Sequence, residues 1–157
     1  MKNKEFKNLI IFAVISVFLT IFIFSNSLKG STATNSDSGF IMQIIKPFVD
    51  KICNIDEELL HIIIRKLAHF TEFCWLGIAT SCFCVLYKKY KNKFLLGLNL
   101  FYCLFIGVMD EFIQSFTGRT SMVSDVIIDF SGALFGIILV YLINLIYNKC
   151  KRIKGFN

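Results

Sequence analysis

The chain has 157 residues, 55% of them hydrophobic, with 18 Phe and a single Pro, and its mean hydropathy is +0.65. One small core cannot bury that much apolar surface, so part of it must face lipid; this argues against a water-soluble globular domain and excludes disorder and collagen-like repeats. The 17 Lys and Arg against 11 Asp and Glu would point to nucleic acid only if the cations shared one water-facing surface, and their spacing gives no such surface.

Apolar runs predict four transmembrane helices, at about residues 9–27, 67–87, 94–116 and 126–147, each near the ~20 residues that cross a ~30 Å hydrocarbon layer. The predicted fold is therefore all-α: a polytopic four-helix membrane bundle in a single domain over 1–157. The first run follows Lys2, Lys4 and Lys7 and reads as an uncleaved anchor, because it is long for a signal peptide and Ser25-Asn26-Ser27 is a poor cleavage site. Residues 28–66 form an outer segment that opens on a polar linker. Phe40, Ile41, Ile44, Ile45, Phe48, Val49 and Ile52 then draw an apolar stripe, which predicts an outer amphipathic helix lying along the membrane surface and interrupted at Pro47. Asn54 or Asp56 is placed to cap a second short helix that runs into the second span. The six Cys, at 53, 74, 82, 84, 103 and 150, show no C-x-x-C pairing and read as small apolar fillers.

Orientation follows from the cations. Lys2, Lys4 and Lys7, then Lys88, Lys89, Lys91 and Lys93, then Lys149, Lys151, Arg152 and Lys154 make eleven of the seventeen, with Glu5 as the only acid beside them. Four spans place these groups in one compartment, and the positive-inside rule makes it the cytoplasm. Both termini are then cytoplasmic in a plasma-membrane protein, and the remaining acids face outward.

Several polar residues sit where lipid should exclude them. Lys66, His69 and Glu72 recur at steps of three in RKLAHFTEF, within about a 120° arc of one helix. Only 16 residues separate Lys93 from Asp110, about 24 Å of helix, so the third span must continue and carry Asp110, Glu111 and Gln114 into the outer leaflet. In the fourth span Asp125, Asp129, Gly132 and Gly136 fall within about 60° of one another, which sets two carboxylates above a G-x-x-x-G stripe that lets another helix approach. Each ionised side chain at mid-bilayer costs roughly 2.5–3.5 kcal/mol, so His69, Glu72, Asp110, Glu111 and Asp129 would together cost more than ~10 kcal/mol if they faced lipid. Pairing in one water-accessible pocket removes most of that, with Lys66 and Arg119 as partners for the acids and His69 bridging one of them. Arg119 lies in the turn Thr117-Gly118-Arg119-Thr120-Ser121, which is expected to roof the pocket. For any one residue the plain reading is an internal salt bridge; nine converging from three segments argue for a ligand.

These residues resemble the VanZ-like family of bacterial membrane proteins, known for a member that accompanies glycopeptide resistance and raises tolerance of teicoplanin. The resemblance covers roughly Arg65 to Gly136. It rests on Lys66, His69, Phe70 and Glu72 in the first block, and on Asp110, Glu111, Gln114, Phe116, Arg119, Asp125, Gly132 and Gly136 in the second. Thr117 stands where Pro is common in the family, which loosens the turn, and Asp129 stands where Asn is often found, which changes the charge of the pocket. The resemblance implies a bacterial cell-envelope role without supplying a mechanism.

Three functions are consistent with the residues. In the first, the pocket binds an anionic membrane lipid, a lipid-linked wall precursor or the acyl-bearing lipoglycopeptide: Lys66 and Arg119 clamp phosphate or carboxylate, and Gln114, Ser121, Asp125 and Asp129 complete the ligand-binding set. In the second, the protein is an enzyme acting on a lipid or wall precursor, with His69, Glu72, Asp110 and Glu111 as the catalytic group. A divalent cation held by Glu72, Asp110, Asp125 and Asp129 would suit hydrolysis or phosphoryl transfer there. The third, transport, needs a polar track through the inner half, where the spans offer only Thr80, Ser81, Asn99, Ser131 and Asn144.

Overall fold

A computed structural model describes residues 2–29, 39, 45–47, 56–117 and 122–154. Among them are four long helices, α1 (Lys2–Ser27), α2 (Glu57–Lys91), α3 (Leu96–Ser115) and α4 (Val123–Lys154), and no strand. All four are long and apolar enough to cross a bilayer, as the hydropathy predicts. α1, α2 and α4 overrun their apolar stretches because backbone hydrogen bonding continues past the edge of a hydrocarbon layer, whereas α3 lies within its own.

The largest overrun is in α2. Its 35 residues make about 52 Å of helix, and the short helix expected before the second span is simply its first three turns. No Gly or Pro interrupts the chain from Glu57 to Leu76. Glu57 and Glu58 in the first turn and Lys88, Lys89 and Lys91 in the last complement the helix dipole. Asp56 stands at the N-cap without a side-chain cap bond, whereas Asn92 ends the helix in the left-handed region (φ 55°) and donates its N–H to the Lys88 carbonyl. Asn tolerates that conformation better than most residues. Of the predicted surface helix, Gly39 and residues 45–47 are helical, and Lys46 pairs with Glu57; the rest of its apolar stripe lies outside the described residues.

Short connections, residues 92–95 and 116–122, make α2 and α3, and α3 and α4, antiparallel neighbours. Ring pairs Phe6–Tyr90 (5.9 Å) and Phe94–Tyr141 (6.1 Å) gather the start of α1, the α2–α3 turn and the later part of α4 at one end, where the three cation groups lie. His69, Glu72, Asp110, Glu111, Asp125 and Asp129 lie toward the other end. Packing centres on α2 and α4. A Cβ on Gly132 would collide with the Phe70 carbonyl oxygen, one on Gly136 with that of Cys74, and one on Gly77 with that of Ala133, so the two backbones touch along the predicted small-residue stripe. α1 and α3 flank this pair, and Ile23, Phe73, Leu76, Cys103, Ile106, Ala133 and Ile137 form the shared core. That core is thin for the chain's hydrophobicity. Phe18, Trp75, Phe101, Phe135 and Leu145 all point outward, which gives the bundle the apolar perimeter a lipid environment requires.

Candidate functional site

The centre of the polar end is built from three helices. α2 presents His69, α3 Asp110 and α4 Asp129, and both aspartates are 0% exposed. His69 Nδ1 lies 3.4 Å from Asp129 Oδ1 and 3.7 Å from Asp110 Oδ2. Asp110 is well supplied with donors: Ser27 Oγ donates to Oδ1 and Gln114 Nε2 to Oδ2 at 2.8 Å. Asp129 differs, for both of its carboxylate oxygens are buried without a hydrogen-bond partner. A ligand atom from each of His69, Asp110 and Asp129 lies within 4.8 Å of the others, a spacing that could hold a metal ion.

Around this centre the polar contacts sort by helix. Asn26 on α1 donates Nδ2 to Glu72 Oε1 at 2.9 Å. Lys66 pairs with Asp125 at 2.7 Å, the Lys side chain 35% exposed and the Asp 14%, so this is a rim pair. Glu111 Oε2 accepts the Met122 N–H at 3.1 Å and so ties the chain just before α4 to the end of α3. The structure therefore brings Lys66, His69, Glu72, Asp110, Glu111, Gln114, Asp125 and Asp129 to one end of the bundle; Arg119 and Ser121 lie outside the described residues. Lys66 meets an acid as expected, and His69 bridges two acids rather than one. The four-carboxylate cation set is not what converges, because Glu72 turns to Asn26 and Asp125 to Lys66.

Two contributors were not anticipated, Asn26 and Ser27. The first span is helical to its last residue, Ser27, which is 1% exposed. A signal for them exists: Ser16, Thr20, Ile23 and Ser27 recur at steps of four, three and four, the spacing of a bundle-facing stripe, and Thr20 Oγ1 indeed meets the Tyr102 hydroxyl at 2.7 Å. Ser27→Ala removes a donor from a fully buried carboxylate. It is expected to destabilise the bundle by about 1–3 kcal/mol, read as a lower midpoint of thermal unfolding in detergent.

Below the site the polar groups turn to one another. Asn99 Nδ2 donates to Ser81 Oγ at 3.0 Å, and Thr80 Oγ1 donates to the Leu76 carbonyl at 2.8 Å. They are uncharged and internally bonded, which gives no support to an ion track. Beside them a cavity of about 410 Å³ opens between α1, α2 and α3, lined mainly by apolar groups such as Val17, Leu98 and Phe105, with Thr80 and Tyr102 also on its wall.

A model of the VanZ/LLP1 family matches residues 9–144. The chain belongs to the VanZ-like family, and the match takes in α1 together with the two blocks that carry the resemblance. No curated protein and no solved structure matches it.

Proposed function

We propose that this VanZ-like protein holds one anionic membrane lipid or lipid-linked wall precursor at the extracytoplasmic leaflet, and that the same site takes a lipoglycopeptide such as teicoplanin and so raises tolerance of it. The supporting observation is the stacking of a polar cluster over an apolar cavity. Phe105, on the cavity wall, is five residues from Asp110 on α3, about 7 Å of helix, so a headgroup at the polar end leaves its acyl chain at the depth of the cavity. Lys66 keeps two donors beyond the one given to Asp125 and can reach a phosphate as a point charge. Arg119, which the sequence places between α3 and α4, is the second cation of this reading, a guanidinium able to pair bidentately with a phosphate or carboxylate. The outward-facing assignment rests on the cation groups at the opposite end of the bundle.

Acid–base catalysis has less support. Glu111 Oε2 is engaged by the Met122 N–H, which gives Glu111 a structural duty, and His69 Nδ1 faces two carboxylates of its own chain.

Native mass spectrometry of the protein in gentle detergent with host lipids retained tests the binding reading. A single anionic lipid is expected on the wild type and is expected to be lost from Lys66→Ala and from Arg119→Ala, with tolerance of teicoplanin falling in the host at equal protein level. A wild type that carries no lipid, or variants that keep it, would overturn the reading.

A further inference from the structure

We infer that His69, Asp110 and Asp129 form a binding site for a divalent transition-metal ion of the Zn²⁺ or Mn²⁺ kind. The inference stands on the three side chains and does not require the lipid reading. Two carboxylates that are both 0% exposed flank one imidazole. Burying charge of one sign is costly unless it is compensated, and the described structure brings no Lys to the centre, since Lys66 is paired with Asp125 at the rim. Asp129 carries the argument furthest. Both of its oxygens are buried without a hydrogen-bond partner, and Oδ1 points at the imidazole from 3.4 Å.

The spacing is close to that of an ion site. Ligands at about 2.0–2.2 Å from a common ion stand roughly 3–4 Å apart; the two separations from His69 Nδ1, 3.4 and 3.7 Å, lie in that range, and all three ligand atoms lie within 4.8 Å of one another. Asp110 is oriented from behind by Ser27 and Gln114, the outer-shell support that metal-ligating carboxylates commonly have. An imidazole among three ligands selects Zn²⁺ or Mn²⁺ over Ca²⁺, which takes six to eight oxygens, and over Mg²⁺, which takes oxygen ligands and keeps its waters. Three protein ligands leave positions open on the ion for water or an oxygen of an anionic headgroup.

The test uses full-length, delipidated protein carrying an affinity tag without histidine, so that failure of the lipid reading cannot affect it. Elemental analysis, followed by titration of the stripped protein with Zn²⁺ and Mn²⁺, is expected to give about one ion per chain. X-ray absorption of the loaded wild type is expected to show a nitrogen and oxygen shell with one imidazole and no sulfur. His69→Gln and Asp129→Asn should lose stoichiometric binding, and Gln114→Leu should weaken it by roughly 10–100-fold. Absence of stoichiometric ion in the wild type overturns the inference, as does retention at unchanged affinity by the folded variants. If a variant fails to fold, the absorption spectrum of the wild type decides alone: a shell without imidazole, or with sulfur, overturns the site.

Discussion

Gly132→Leu is expected to abolish accumulation of folded protein. A Cβ at this position meets the Phe70 carbonyl oxygen and carbon, which are main-chain atoms of α2, and a helix carbonyl cannot swing aside without breaking its own hydrogen bonds. Overpacking against movable side chains costs about 1–3 kcal/mol. Here the obstacle is backbone, the neighbouring contacts at Gly136 and Gly77 are equally close, and α2 and α4 must separate along their whole shared length to relieve it. That loss is comparable to the entire stability of a small domain, about 5–15 kcal/mol. Gly97→Leu is the matched control, since a Cβ there meets nothing within 4 Å, and it should accumulate like the wild type. Size-exclusion profiles of fluorescent fusions in crude detergent extract compare the two directly. A Gly132→Leu protein with wild-type yield and midpoint would mean that α2 and α4 do not pack as described.

This pair of helices also shows what a sequence reveals and what it withholds. The G-x-x-x-G stripe announces a close approach but not its partner, because any helix with an open face could fill the groove; that α2 fills it depends on the facing Gly77 and on the carbonyls of Phe70 and Cys74. Apolar runs located the four spans, yet the start of α2 was invisible to them. Hydropathy marks the hydrocarbon layer, whereas the helix itself continues wherever its backbone bonds do, and Leu60 and Ile64 are buried on a stretch too charged to count as a span.

The same distinction runs through the site. His69, Asp110 and Asp129 stood out because a charge in lipid is costly. Asn26 and Ser27 did not, because an uncharged polar group at the end of a span carries little penalty and a hydroxyl there can bond its own helix, as Ser25 Oγ does to the Ile21 carbonyl at 2.7 Å. Pairings within the charged set were also out of reach. Lys66 had several acids in prospect, and only the placement of α4 beside α2 gives it Asp125 and leaves Glu72 to Asn26.

Asp129→Asn is expected to reverse its effect on stability with the metal content of the sample. In protein treated with a chelator the variant should be the more stable form, by about 1–3 kcal/mol. Asparagine keeps the shape and removes one of two fully buried carboxylate charges, and like charges that share one site disfavour each other's ionised form. The attraction lost is that to His69 at 3.4 Å, but Asp110 remains 3.7 Å from the same nitrogen, so the imidazole keeps an acidic neighbour while repulsion between the two carboxylates disappears. With Zn²⁺ present at about 100 times its dissociation constant, the wild type gains about 2.7 kcal/mol by mass action and should overtake a variant that has lost a ligand. Thermal unfolding of both proteins, with chelator and with metal, reads the crossing directly. A variant less stable than the wild type under chelation would show that the Asp129 charge holds the helices together. Wild-type midpoints that are the same in both conditions would instead remove the ion from the account.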